Sequence, residues 1–312
     1  MSKYNFGSGL PTWNGMPMVG GANFTTGASF FVDSATGSNG NTGKSPTKAF
    51  GTLDYAIGRC TANKGDTIYV MPNHAETITG VGGITADIAG ISIIGLGTYN
   101  QRPRFLMDGA DTVTFLVSAA DVTIRNLVFA SGTLLTVACF NVTGKGCWID
   151  QCEFADNTTA ENWGSPVKAT GAANTADGLK VTNCRWVPLT ATVNSLEFIE
   201  ITDDIDGLVV VGNLVTCEGT ATPLILQAGT KVMTNVFVAW NFLSHKMTAG
   251  ALFMSNGGTG NSGIVAHNRF GHADVTTTHD WGAVTGLRLF DNLSTSVDNL
   301  SGVILPAADV NS

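Results

Sequence analysis

One short phrase recurs along this chain from Asp121 onward, and it restricts the fold more than any other feature. It reads β-branched or Leu, any residue, polar, then Leu, Cys or Asn, any residue, then usually a bulky apolar residue. The copies are Ile124-Arg-Asn-Leu-Val-Phe129, Ile149-Asp-Gln-Cys-Glu-Phe154, Val181-Thr-Asn-Cys-Arg-Trp186, Val210-Val-Gly-Asn-Leu-Val215, Val238-Ala-Trp-Asn-Phe-Leu243 and Val265-Ala-His-Asn-Arg-Phe270, with a weaker one at Leu289-Phe-Asp-Asn-Leu-Ser294. The fourth position falls at Leu127, Cys152, Cys184, Asn213, Asn241, Asn268 and Asn292, so successive copies lie 25, 32, 29, 28, 27 and 24 residues apart. That spacing is about one coil of a β-solenoid, with length differences absorbed in loops on one side. Leucine-rich repeats share the range but need a Leu-rich phrase that is absent here.

In a parallel stack each coil sits about 4.8 Å above the last, so like positions pile on like. Alternate Val, Ile and Phe point into the bore. Asn tolerates the left-handed backbone of a sharp corner and can bond to the Asn above and below it. Asn213, Asn241, Asn268 and Asn292 are therefore the expected structural ladder, and Leu127, Cys152 and Cys184 extend the column as an apolar portion. A second strand family lies between the phrases, at Leu134–Val142, Leu196–Ile201, Leu224–Leu226 and Leu252–Met254; earlier strands read at Thr67–Met71, Ile91–Ile94 and Thr114–Val117. The expected fold is all-β: a right-handed parallel β-helix of about ten coils, hence a rod of roughly 45–50 Å at the strand spacing.

Composition agrees with that fold. Of 312 residues, 44% are hydrophobic, enough for a continuous core, while only 13% are charged, about half the usual share of ~25%. Thr, Ser, Asn and 38 Gly carry the polar balance, which suits strands and tight turns. A net charge of -8 with few Lys and Arg gives no footprint for nucleic acid or an anionic membrane. No apolar run nears the ~20 residues of a membrane span. The first residues lack the basic region and apolar block of a secretory signal.

A solenoid needs its ends covered. Thr52–Ala62 reads as a short amphipathic helix with Leu53, Ala56, Ile57 and Cys60 on one face, a lid over the first coil. Gly65-Asp66 then turns the chain into the first strand. The run Phe31-Val-Asp-Ser-Ala-Thr-Gly37, with Ser45-Pro46, Phe50-Gly-Thr-Leu53, Ala56-Ile57, Gly65-Asp-Thr-Ile-Tyr-Val70, Ile91-Ser-Ile-Ile-Gly-Leu-Gly97 and Val122–Phe129, resembles pectate-lyase-like β-helix proteins over roughly residues 30–295. Met71-Pro-Asn-His-Ala-Glu-Thr77 after the lid is similar to β-helix proteins among the structural genes of tailed phages. The resemblance specifies fold well and function poorly, since the fold hosts lyases, hydrolases, adhesins and virion proteins.

Chemical motifs are sparse. Galacturonan hydrolases of this fold resemble one another in an Asn-Thr-Asp, Asp-Asp, Gly-His-Gly and Arg-Ile-Lys set. This chain has Asp203-Asp204, has Gly271-His272 without a second Gly, and has Arg288-Leu289 followed by Phe290. Asp203, Asp204 and Asp206 are expected as a solvated turn, with calcium binding as the alternative. Arg125 and Arg185 are lyase-base candidates by position only. His267, His272 and His279 with Asp274 and Asp280 crowd one stretch, but metal ligation needs convergence, and ordinary surface or half-buried His is the expectation. The six Cys (60, 139, 147, 152, 184, 217) form no CxxC and are expected as reduced, buried thiols. Gly95-Leu-Gly97 and Gly258-Thr-Gly260 lack the following helix of a phosphate loop. Trp148, Trp163 and Trp186 are candidates for stacking on sugars.

The organisation expected is an arm (1–30), a lead-in segment and lid (31–66), the β-helix (67–300) and a tail (301–312). The arm holds Tyr4, Phe6, Trp13, Met16, Met18 and Phe24 among Gly and Pro, too aromatic for a flexible linker, and these are the candidate partner-binding residues. The expected function is that of a phage virion structural protein, a capsid decoration or cement protein bound to the major capsid protein or another virion protein. A homotrimer is the expected state by the resemblance, with no catalytic residue, metal, cofactor, nucleic acid or membrane. A tailspike-like polysaccharide depolymerase and a non-catalytic adhesin for a surface glycan are the alternatives.

Overall fold

The computed structural model describes residues 12–13, 16–17, 27–109, 112–133, 136–158, 161–187, 197–217, 225–227, 230–245, 254–256, 258–272 and 286–294. The described chain is an all-β parallel solenoid of the right-handed type, in which successive coils build three long sheets. The first sheet has ten strands, from Ser29–Val32 and Thr67–Val70 through Thr123–Arg125, Trp148–Asp150, Lys180–Thr182, Val209–Val211, Val236–Ala239 and Gly263–Ala266 to Leu287–Phe290. The second has nine, from Ala75–Ile78 to Leu293–Ser294, and the third has seven, from Ile84–Ala86 to Met254–Asn256. Every pairing within these sheets is parallel, and the strands step up the rod in chain order.

Register puts each repeat position over its counterpart. Ile93, Ile124, Ile149, Val181, Val210, Val238 and Val265 form one inward column on the first sheet, all buried. β-branched side chains suit this surface because their stiff χ1 packs well against like neighbours on a pleat. The second sheet stacks Phe105, Phe129, Phe154 and Trp186, and the Phe105 and Phe129 rings lie parallel 5.4 Å apart. Phe115 and Phe140 enter from the third sheet and meet the same aromatic core. Trp163 and Trp186 are fully buried there, so they are core residues and do not face a sugar. Trp148 is half-buried and donates its indole N–H to Thr182 Oγ1 (2.8 Å).

The corner between the first and second sheets is two residues long. Its first residue is left-handed: Asn126, Gln151, Asn183, Gly212, Trp240, His267 and Asp291 all have φ between 54° and 71°. The second is the repeat's fourth position, whose seven residues, Leu127 to Asn292, are all buried. One glycine of the resemblance is explained at this corner. A Cβ on Gly95 would lie 2.2 Å from the carbonyl oxygen of Asn126, and the Asn126 amide donates to the Gly95 carbonyl (2.8 Å).

Three expectations need correction at the start of the rod. The helix spans only Leu53–Ile57, because the chain turns out of it at Gly58, and Cys60 lies beyond it and half-buried. Leu53, Ala56 and Ile57 are buried against Ser29–Val32, Thr67–Val70 and Ile84–Ala86. The rod's first strand begins at Ser29, inside the segment assigned to the arm, and Phe30 and Phe31 are buried in it. Within the arm, Thr12–Trp13 pairs antiparallel with Met16–Pro17. Tyr4, Phe6, Met18 and Phe24 lie outside the described residues, as does the tail.

The helix is tied to the strands by a polar relay centred on buried His74. The Ser34 N–H donates to His74 Nδ1 (2.9 Å), so the ring proton sits on Nε2 and is given to Glu76 Oε2 (3.0 Å). The same carboxylate oxygen accepts the Leu53 N–H (3.0 Å), and Asp54 accepts the N–H of Thr85 on the outermost strand of the third sheet (3.0 Å). His74 and Glu76, from the Met71–Thr77 run, therefore have structural work.

Candidate functional site

The corner carries two arrangements, an inner ladder and an outer groove. In the ladder the Oδ1 of Asn241, of Asn268 and of Asn292 each accepts two N–H groups from the coil before it, one from the main chain and one from the side chain. Asn213 gives both to Asn241 (3.0 and 2.9 Å), Asn241 gives both to Asn268 (3.0 and 2.9 Å), and Asn268 gives both to Asn292 (3.0 and 3.0 Å). Each amide also donates to a strand carbonyl of the preceding coil, at Val181, Val210, Val238 and Val265. Below the ladder the column continues with cysteine. Cys184 gives its main-chain N–H to Asn213 Oδ1 (2.8 Å), and its thiol meets the Thr182 carbonyl (3.3 Å).

Burial pushes the Cys147 and Cys152 thiols up to about 12, and Cys139 and Cys184 well above the ordinary thiol range. Such thiols are poor nucleophiles. Cys60 is also raised to about 12, by burial first and by nearby Asp66 second. These five are free thiols; the side chain of Cys217 lies outside the described set.

Outside the same corner is a groove of about 830 Å³ between the turn Gly97–Arg102 and the start of the second sheet. Its outward column runs Arg104, Val128, Glu153, Arg185 on four successive strands. Arg102 lies beside this column and is ion-paired with Glu153 Oε2, while Arg185 reaches Oε1 of the same carboxylate (3.5 Å). Arg104 donates to the neutral amide oxygen of Asn157 (3.4 Å). Tyr99 projects at the rim, 90% exposed, with a left-handed backbone (φ 51°) that is unusual for an aromatic residue. Arg125 is held by Asp150 Oδ2 (3.1 Å) and Gln151 Oε1 (3.3 Å).

The acidic turn is a clasp and not a free solvated loop. Asp203 pairs with Lys231 (2.9 Å), Asp204 accepts the Val232 N–H (2.7 Å), and Asp206 accepts from Thr234 Oγ1 (2.5 Å) and Asn235 Nδ2 (2.7 Å), all on the following coil. The Lys231 hydrogen bond holds Asp203 below the usual carboxylate range, and the Thr234 and Asn235 bonds do the same for Asp206. The carboxylates serve inter-coil pairing because a parallel stack places each turn directly over the next.

Sequence reasoning passed over a network at the third sheet. Glu197 is buried and accepts from Ser165 Oγ (2.9 Å). Burial, opposed by the Ser165 bond and reinforced by Glu200, raises its carboxyl to about 7. Glu200 is paired with Lys168 (2.6 Å), its neighbour on the adjacent strand. Nothing in the sequence signalled this, since the two glutamates are ordinary polar positions of a strand pattern.

His267 stands at a left-handed corner, stacked on Trp240 (5.5 Å, 12°), with Asp291 3.4 Å from Nδ1. His279, Asp274 and Asp280 lie outside the described residues, and His272 is described in its backbone only. Among the described residues no three His, Cys, Asp or Glu side chains converge as a metal site, and no helix is long and apolar enough to cross a membrane.

No family model matches this chain, and no curated protein matches it. Among solved structures a rhamnogalacturonan lyase is similar, at 12% identity and a TM-score of 0.43, over 89% of this chain and 90% of that one. A likeness this remote transfers neither residues nor activity.

Proposed function

We propose that this chain is a structural, non-enzymatic β-helix of a phage virion, a decoration or cement protein that binds the head shell. The observation that carries the reading is the state of the corner groove. Its one carboxylate, Glu153, is held by Arg102 and Arg185, and nearby Asp150 holds Arg125. Among the described residues no carboxylate of the groove stands clear of an arginine to act as acid or base, so the groove suits holding a partner better than turning over a substrate. The asparagine ladder and acidic clasp fix one coil on the next and make the rod stiff, as a shell component requires. In this reading the rod has about ten coils, Leu53–Ile57 is its lid, the arm with Trp13 and Met16 grips the major capsid protein, and three copies assemble about a three-fold axis.

The test is co-fractionation. The protein should travel with intact phage heads through a density gradient and be displaced by deletion of the arm. Its recovery only as free protein, from cells full of assembled particles, would end the proposal.

A second reading, a glycan depolymerase, is favoured by Glu197, whose buried carboxyl is raised to about 7, close to Glu200 on its lysine partner: a raised carboxyl near a second one is a recurrent acid–base arrangement. It requires new reducing ends or unsaturated uronates when the protein meets acidic polysaccharide, and loss of that product in Glu197→Gln.

A further inference from the structure

We infer that the corner groove is a docking site for an extended acidic peptide, one whose carboxylates are four residues apart. The first argument is charge. The chain carries a net charge of -8, yet this groove is lined by Arg102, Arg104 and Arg185 against the single carboxylate of Glu153. A local reversal of sign on an acidic protein selects an anionic partner.

The second argument is spacing. Arg104 and Arg185 occupy the same outward column three strand steps apart. At about 4.8 Å per step that separates them by roughly 14 Å. An extended peptide advances about 3.3–3.4 Å per residue, so side chains at i and i+4 share a face and stand roughly 13–14 Å apart. The side chain at i+2 then falls midway between Val128 and Glu153, the two inner members of the column. Arginine forks take carboxylates two hydrogen bonds at a time, and exposed Tyr beside Arg is the composition of interface anchors.

The third argument separates a peptide from a hydroxyl-rich glycan. The corner amides are already engaged within the protein. Asn126 Nδ2 donates to the Gly95 and Gly97 carbonyls, Asn183 Nδ2 donates to Asp150, and Gln151 Oε1 accepts from Arg125. A ligand recognised through many hydroxyls finds these groups engaged, whereas a ligand recognised through two carboxylates meets Arg104, on a neutral partner, and Arg185, half in water. The inference holds whether or not the rod belongs to a virus particle, and a peptide assay tests it apart from co-fractionation with heads.

The probe is a fluorescein-labelled pentapeptide, Glu-Thr-Val-Thr-Glu, titrated with the full chain by anisotropy at low salt. Saturable binding is expected, weakened by added salt, and about tenfold weaker for the peptide with Gln at both ends or for the Arg104→Gln, Arg185→Gln protein. Glu153→Gln removes the competing carboxylate and should tighten binding severalfold, a gain that misfolding cannot imitate. Failure of the acidic peptide to bind, equal binding of the Gln peptide, indifference to the two arginine substitutions, or binding of a trigalacturonate in place of the peptide would each overturn the inference.

Discussion

Asn213 delivers both of its N–H groups to a single oxygen, Oδ1 of Asn241, at 3.0 and 2.9 Å. Both residues are at most 2% exposed, so water cannot replace either bond. Replacing Asn241 with Leu would strand those two donors at once. Buried unsatisfied groups cost about 1–3 kcal/mol each, so Asn241→Leu should lose on the order of 3–5 kcal/mol in guanidinium unfolding. Asn292→Ala strands the two corresponding donors of Asn268 and should lose a comparable amount. Equal, small losses at both sites would show that the ladder is dispensable.

Cys184 sits where the ladder changes from amide to thiol. Its sulfur already faces the Thr182 and Ile149 carbonyls, as the asparagine amides face theirs, and its N–H is bonded to Asn213. Cys184→Asn should therefore fold, with stability within about 1 kcal/mol of the parent, because the new amide meets acceptors in place. Cys184→Leu has no such use for them and should be the worse of the two by the same unfolding measurement.

Glu197 sets a pH dependence of stability. Its carboxyl rises from 4.5 to about 7 on folding, so between those values the folded chain holds more protons than the unfolded one. Stability contributed by this group is then present in full at low pH and declines as pH rises through the window. Melting curves from pH 4 to 8 should show that decline, and Glu197→Gln should flatten it and raise the midpoint at pH 8. A parent protein whose midpoint does not fall over this range would remove Glu197 from the explanation.

Deleting residues 1–26 removes most of the arm and leaves the strand Ser29–Val32 paired with Thr67–Val70. The truncated protein should keep the parent's far-ultraviolet spectrum and melting midpoint while losing binding to purified phage heads. Undiminished head binding would place the contact on the rod instead. Deletion through Val32 should melt lower, since it strips Phe30 and Val32 from the core.

What the sequence determined by itself was periodicity. A side chain that must lie over its own counterpart every coil is written as a repeat, and so the parallel stack, its buried columns and the asparagine positions were legible from Leu127 to Asn292. The short helix was legible in kind but not in length, because Arg59–Ala62 follow a turn that only packing defines. The tertiary structure alone decided which polar groups meet. Arg102 and Glu153 are 51 residues apart, Lys168 and Glu200 belong to different coils, and Asp206 closes onto Thr234. The last two are in-register partners on neighbouring strands whose residue types do not recur along their columns, and Arg102 reaches Glu153 from the turn beside the second sheet. A repeat records what recurs, and these contacts occur once.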